Sequence, residues 1–367
     1  MGKRIAFFMP PLGDGGLDRM VLKLAELMSA DNQVDVVTIK AQGPFLRTIC
    51  DDVRIIDLKA RRALSGLPGL IRYLRREKPY ALISAQYYVN VIAVWAKMLA
   101  HVPTKVIVTE RLATSRDLGR SGRLKDKLLP LLMRRAYLRA DAIVAVSRGA
   151  AEDLARLLRI SCDRVRVIYN PTLDGGIVEK AAAPVEHPWF ADKQIPIVIS
   201  AGRLTGQKDF ATLLRAFAEV RAETRAKLVI LGEGADRGEL ERLAERLGIR
   251  ENVAFPGFVD NPCTYIAKAD LFVLSSIYEG MPNALIEALA VGIPAISTDC
   301  PSGPREVLPA DALVPVGDHS AMARKILEVL ADRRRGLQIL EESRPNLDKF
   351  RPDVCLANYM ELIDKNG

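Results

Sequence analysis

Two series of short apolar runs, each run followed by a longer amphipathic segment, set what this chain can fold into. The first series is Arg4–Met9, Val34–Ile39, Val53–Leu58, Ala81–Ala85, Lys105–Thr109, Ala142–Val146 and Val165–Ile168. The second is Pro196–Ala201, Lys227–Leu231, Val253–Phe255, Leu271–Leu274, Pro294–Thr298 and Ala312–Val316. Segments with helical spacing fall between the runs, among them Met20–Met28, Ala150–Leu158, Phe210–Arg221 and Gly238–Leu247. Strand–helix alternation of this kind is the pattern of parallel, doubly wound sheets. A chain of 367 residues exceeds one ordinary core, so the two series predict two domains. Between them, Pro171 to Pro196 holds prolines, an alanine run and little periodicity, which reads as a linker. The expected α/β architecture is two Rossmann-like, doubly wound parallel-sheet domains facing across a cleft. Their bounds are 1–172 and 195–345, with 173–194 as linker and 346–367 as a terminal segment holding the helical pattern Arg351–Lys365.

Charge and cysteine usage narrow the function. The net charge of +8 is concentrated in the first half. Arg111–Arg139 carries nine Lys or Arg against Asp117 and Asp126, and Lys59–Lys78 carries seven against Glu77. The remainder of the chain is therefore net acidic. Cys50, Cys162, Cys263, Cys300 and Cys355 lack metal-type spacing, and the chain has only three histidines; no metal site or disulfide framework is expected. No apolar run approaches the roughly 20 residues of a membrane span. Pro10 and Pro11 cut short the apolar start, which reads as a first strand rather than a secretion signal. The expectation is a cytoplasmic protein.

Chemistry concentrates at one strand-to-helix joint. After the apolar run ending at Ser275 comes Ser276-Ile-Tyr-Glu-Gly-Met-Pro-Asn-Ala-Leu-Ile-Glu-Ala-Leu-Ala290, with Gly292 and Pro294 as helix stop,. Pro282 suits the first helical turn. Glu279 then lies in the loop and Glu287 more than a turn inside the helix, both able to face the crevice at the strand's carboxyl end. A carboxylate on so apolar a helix needs hydrogen-bonding partners, and sugar hydroxyls would serve.

Glu279 and Glu287, with Gly280, Met281, Pro282 and Asn283 between them, resemble the E-x7-E motif of retaining glycosyltransferases of family four, which have the GT-B fold. Ser200-Ala-Gly-Arg-Leu-Thr-Gly-Gln-Lys208 resembles that family's G-R-L-x-x-x-K segment, through Gly202, Arg203 and Lys208. Preorganised cations there stabilise the charge that a leaving nucleoside diphosphate gains. Gly15, Gly16 and Arg19 are similar to the family's G-G-x-x-R loop. The same stretch is not a dinucleotide fingerprint, since Asp18 stands at the third glycine and Lys40 replaces the ribose-binding acid,. Gly232 and the pair Phe258 and Val259 resemble loops bordering nucleotide base and ribose, and Cys300-Pro-Ser-Gly-Pro-Arg-Glu306 resembles a version common in bacterial polysaccharide and lipopolysaccharide transferases. The match is weakest after the fifth strand, where Val108-Thr-Glu-Arg-Leu112 stands in place of a His or Glu-His; Glu110 and Arg111 either replace that acceptor-side function or are structural.

The resemblance implies a retaining, metal-independent transferase, with no cofactor, that moves sugar from a nucleotide-sugar (uridine rather than guanosine) to a saccharide or lipid-linked acceptor. Glu279, Arg203 and Lys208 are its candidate catalytic residues, and the terminal helix is expected to cross back to the first domain. The mixture of cations and leucines in Arg120–Arg139, interrupted at Pro130, suits docking on the anionic inner face of the cytoplasmic membrane; no nucleic-acid recognition motif accompanies the charge. A nucleotide-sugar epimerase of the same architecture would need histidines poised for proton abstraction, and a non-catalytic binding protein would have no use for all four of Arg203, Lys208, Glu279 and Glu287.

Overall fold

The computed structural model describes residues 2–11, 16–42, 49–119, 124–173, 175–191 and 194–365, without the side chains of 17, 119 and 124–127. The chain divides into two compact units, Met1–Pro171 with Phe350–Gly367, and Thr172–Lys349. In the first, the order is β1 (Arg4–Met9), α1 (Gly16–Ser29), β2 (Gln33–Thr38), β3 (Val53–Asp57), α2 (Leu67–Glu77), β4 (Ala81–Ala85) and α3 (Tyr87–Ala100). There follow β5 (Lys105–Glu110), α4 (Thr114–Gly119), α5 (Leu124–Tyr137), β6 (Ala142–Ala145), α6 (Arg148–Leu158) and β7 (Val165–Val167). The second unit opens with α7 (Ile177–Ala182) and α8 (Pro188–Ala191), then β8 (Ile197–Ala201), α9 (Phe210–Glu223), β9 (Lys227–Leu231), α10 (Arg237–Arg246) and β10 (Val253–Gly257). It continues with α11 (Pro262–Ile266), β11 (Leu271–Leu274), α12 (Asn283–Ala290), β12 (Ala295–Thr298), β13 (Leu313–Val314), α13 (His319–Ala331) and α14 (Arg333–Ser343). The last helix, α15 (Pro352–Asp364), belongs to the first unit.

The seven-stranded sheet has order β3-β2-β1-β4-β5-β6-β7 and the six-stranded sheet β10-β9-β8-β11-β12-β13. The strand pairs are parallel, with registers such as Phe7↔Val36 and Ile199↔Val229. Each sheet starts in its middle and winds outward both ways, so each has a switch point, β1/β4 and β8/β11. Sheets covered on both faces need strands that are nearly apolar throughout, which is why the sequence shows apolar runs with few breaks, such as Asp35 in β2 and Ser84 in β4. In the first unit, Ala6 and Phe8 join one core with α2, α3, α5 and α6. Ile5, Phe7 and Met9 join the other with α1 and with Cys355, Tyr359 and Ile363 of α15. Lys105 Nζ donates to the carbonyls of Ile363 (2.9 Å) and Lys365 (2.7 Å), capping the end of α15.

Four local expectations change. The stretch read as linker folds in part: Ile177 and Ala181 of α7 bury against Cys263 of α11, with Ala290 and Val291 at the end of α12 beside them. A six-residue helix held by one i, i+4 pair is too short to show periodicity. Helix α5 runs through Pro130 rather than stopping there, because Met133, Ala136 and Tyr137 are locked into the core after it. Strand β10 continues past Phe255 to Gly257 with a register shift; it is an edge strand, where proline is tolerated. Strand β13 is only two residues long because Pro315 follows and cannot donate to a ladder,.

Candidate active site

Open α/β sheets bind ligands outside the carboxyl ends of their strands, at the switch point. In the second unit that point lies between β8 and β11, and the loops leaving these strands carry the two strongest motifs. They are tied together by their backbones. Ile277 N donates to the Gln207 carbonyl (2.8 Å), Gln207 Nε2 to the Tyr278 carbonyl (3.0 Å), and Ser275 Oγ to the Lys208 carbonyl (2.7 Å). Lys208 Nζ ion-pairs with Glu279 Oε1, which also accepts from Ser276 Oγ at 2.6 Å. Glu279 is buried to 5 % side-chain exposure and Lys208 to 18 %, so neither charge is surface decoration. The lysine stem lies over Gly202: a Cβ there would sit 2.9 Å from Lys208 Cε. Arg203 is exposed beside it.

A third loop, after β12, props up the second. Thr298 Oγ1 donates to the Ser276 carbonyl (2.6 Å) and Ser302 Oγ to the Glu279 carbonyl (2.9 Å). Gly303 has φ +95°, and a Cβ on it would meet Pro282 Cδ at 2.5 Å. Burial, followed by the neighbouring Glu279 charge, pushes the Cys300 thiol up to about 12, so that sulfur is an inert packing group. Pro282 caps α12 rather than entering it, with φ −79° and ψ 95°; its extended ψ turns the chain into Asn283. Gly280, Met281 and Pro282 are buried, as is Glu287 on α12. Thr172 Oγ1 donates to Asn283 Oδ1 at 3.1 Å.

Gly232 follows β9, and its N–H donates to the Gly257 carbonyl (2.8 Å) at the end of β10. At φ +127° its Cβ would be 2.1 Å from the Gly202 carbonyl oxygen, a close approach only glycine permits. Phe258 stands half exposed and Val259 beside it is part-buried. Gly202, Arg203, Lys208, Gly232, Phe258, Val259 and the 279–287 segment thus share the carboxyl edge of one sheet.

The first-unit candidates are placed differently. Gly15 lies outside the described residues, while Gly16 and Arg19 sit in the first turn of α1. Glu110 ends β5, is buried, and accepts from Thr114 Oγ1 (3.0 Å), Asn90 Nδ2 (3.1 Å) and the Tyr137 hydroxyl. Burial pushes its carboxyl up to about 7, against the pull of those hydrogen bonds. Arg111 is buried too, and its Nη1 donates to Asn170 Oδ1 at 2.8 Å. Both side chains join elements of the first unit through these bonds, while the Arg111 Nε is buried without a partner among the described residues. Arg111 is accordingly no part of a solvated basic face; Arg120 and Arg123 lie outside the described residues, as do the side chains of Lys125 and Lys127.

Sequence reasoning missed the roles of Ser276 and Thr298, and quoted Ser302 and Gly303 within the Cys300–Glu306 motif without their contacts to the Glu279 loop. Ser276 had a signal, the S-x-x-E spacing to Glu279 that marks a serine able to reach a glutamate three residues on. The others come from a segment more than 20 residues away; the Cys300–Glu306 likeness marked Ser302 and Gly303, and nothing marked Thr298. Among the described residues, no group of three or more His, Cys, Asp or Glu could hold a metal, and no helix is long and apolar enough to cross a membrane.

Comparison with known proteins shows a glycosyltransferase. Residues 186–347 match the family model "Glycosyl transferases group 1" and residues 15–171 match "Glycosyl transferase 4-like domain". A Campylobacter jejuni protein named N-acetylgalactosamine-N,N'-diacetylbacillosaminyl-diphospho-undecaprenol 4-alpha-N-acetylgalactosaminyltransferase is 28 % identical over 353 residues, 90 % of this chain and 91 % of that one. The lipopolysaccharide core biosynthesis glycosyltransferase LpsE of Rhizobium meliloti is 28 % identical, covering 95 % and 96 %. Among solved structures, HepE of Anabaena in complex with UDP superposes with TM-score 0.79 at 16 % identity over 98 % of both chains, a likeness of fold.

Proposed function

We propose that this chain, a glycosyltransferase with the GT-B fold, is a retaining, metal-independent enzyme of cell-surface polysaccharide or lipopolysaccharide synthesis, using a UDP-sugar and a saccharide or lipid-linked acceptor. The observation that carries the reading is the buried Lys208–Glu279 pair at the β8/β11 switch point. Glu279, fixed by Ser276 and the 298–303 loop, accepts a donor-sugar hydroxyl; Glu287 accepts from the ribose. Lys208, held in place by Glu279, and the exposed Arg203 stabilise the diphosphate as the glycosidic bond breaks, without the reorganisation a mobile cation would need. Gly232, Phe258 and Val259 border the nucleoside. Retention rests on the likeness of the Glu279–Glu287 segment to the retaining family. A UDP donor draws support from the UDP complex of HepE, and a lipid-linked acceptor from the diphospho-undecaprenol in the Campylobacter relative's name. The protein then works as a peripheral enzyme on the anionic cytoplasmic face of a membrane.

The test is a nucleotide-sugar panel read by release of nucleoside diphosphate, with and without undecaprenyl-diphosphate saccharides, in excess chelator. Acceptor-dependent release of UDP is the expected result. Release abolished by chelator and restored by Mg²⁺ would overturn metal independence, and undiminished release by Lys208→Ala would overturn the site.

A further inference from the structure

On one side of the first sheet, α3 packs between α2 and α5. Their inner faces build the core through Leu74, Val94 and Met133, among others. The outer faces of α3 and α5 are apolar as well. Trp95, Met98 and Leu99 are exposed to 36, 47 and 49 %, and Leu128, Leu131 and Leu132 to 59, 60 and 39 %. Trp95 with Leu99, and Leu128 with Leu132, are i, i+4 pairs, so each set forms a stripe along its helix. Contiguous exposed surface of this kind marks an interaction site.

Cations border the stripes. Arg75 of α2 donates from Nη2 to the Leu99 carbonyl at 2.8 Å, which sets its guanidinium at the end of the α3 stripe. Arg72, Arg76 and Lys78 are exposed on the same helix, and Arg134 and Arg135 at the end of α5. Among the described residues, Glu77 pairs with Arg4 and Arg54 and also with Arg76, and Asp141 pairs with Lys97. A second copy of the chain docked about a two-fold axis would set these arginines against their own counterparts. A surface of anionic headgroups over hydrocarbon complements both features.

We propose that the outer face of α3 and α5 inserts into the interfacial layer of an anionic bilayer, with Trp95 as its aromatic anchor and the arginines of α2 and α5 on the lipid phosphates. The inference rests on the reading of a membrane-borne acceptor, and it differs from docking by the Arg111–Arg139 charge alone. Electrostatic attraction is screened within about 8 Å at physiological salt, whereas burial of apolar side chains is not. Amphipathic surfaces with Trp and Leu on one side and Arg at the border lie in that layer.

The chain has two tryptophans, so Trp189→Phe leaves Trp95 as the sole reporter. With phosphatidylglycerol-containing vesicles, Trp95 emission should shift to the blue and be quenched by lipids brominated on the acyl chain. Binding by the full chain should persist in part at high salt. Met98→Ser with Leu99→Ser, and Leu128→Ser with Leu131→Ser, at the more exposed positions, should lose at least tenfold in high-salt partitioning while keeping their unfolding temperature. Arg75→Ser with Arg135→Ser should lose binding at low salt. Unshifted Trp95 emission overturns the proposal, as does burial of Trp95 by lipid-free dimerisation. Transfer assays separate the two readings. Insertion without transfer to any lipid-linked acceptor sinks the acceptor assignment alone, and transfer to a vesicle-borne acceptor without insertion sinks the docking face alone.

Discussion

Glu110 makes the first unit lose stability as pH rises through neutrality. Its carboxylate is buried between α3, α4 and α5, accepting from Asn90, Thr114 and Tyr137. Burial is the largest cause of its raised pKa, about 7 against an ordinary 4.5, and the charge of Asp117 adds to it. Between those values the unfolded chain has released the proton and the folded chain still holds it. Stability rises with pH only where the unfolded state binds more protons, so here it falls. The contribution is complete below about 4.5 and gone above about 7. At ~1.4 kcal/mol per unit of pKa difference, the loss is roughly 3 kcal/mol. Glu110→Gln removes the charge and keeps the shape: its Oε1 can still accept from Asn90 and Tyr137, and its Nε2 can donate to the rotatable Thr114 hydroxyl. Urea unfolding of the Trp189→Phe chain, read by Trp95, follows the first unit alone. Glu110→Gln should match the parent near pH 5 and exceed it by about 2–3 kcal/mol at pH 8. A difference that stays flat from pH 5 to 8 would show that the carboxyl is solvated or otherwise compensated, and the reasoning would fail.

Lys208→Ala strips the partner from a buried carboxylate, and turnover should fall roughly 100-fold, measured by nucleoside diphosphate release. Glu287→Ala should weaken free UDP by roughly tenfold or more, the worth of a charged hydrogen bond, in titration calorimetry; unchanged affinity removes it from the ribose site. Gly303→Ala forces a Cβ against Pro282 at a left-handed φ and should cost the second unit about 1–3 kcal/mol, read by Trp189 in a Trp95→Phe chain.

What was legible in the sequence was what a local pattern can encode. The strands of both sheets stand out because parallel strands covered on two faces are apolar at nearly every position, with exceptions such as Asp35 and Ser84 hydrogen-bonded inside. Glu279 and Glu287 are legible because one joint, β11 to α12, holds both. Lys208 lies across a sheet switch from them, and its role is readable only through its likeness to a family segment. Glu110 is opaque for the opposite reason. Its partners Asn90 and Tyr137 sit 20 and 27 residues away, and nothing beside it in the chain announces that it is enclosed.

Helix α3 shows how a pattern can conceal its own exception. Tyr-Tyr-Val-Asn-Val-Ile-Ala-Val-Trp-Ala-Lys-Met-Leu-Ala is apolar nearly all round, which for a soluble protein predicts a helix buried on every side. Among the described residues its main neighbours are the sheet, α2 and α5, and the stripe through Trp95 and Leu99 stays partly open. Trp95 is exposed to 36 % and Leu99 to 49 %, so a large part of each side chain faces water. Leaving two large apolar side chains in water forgoes the roughly 25 cal/mol per Å² that burying them would return. Packing accounts for their buried part, and the exposed part is accounted for by what covers that face when the enzyme works. A lipid surface bordered by phosphates meets both the leucines of α5 and the arginines around them, and under the proposed lipid-linked acceptor it is also the surface that presents the acceptor hydroxyl.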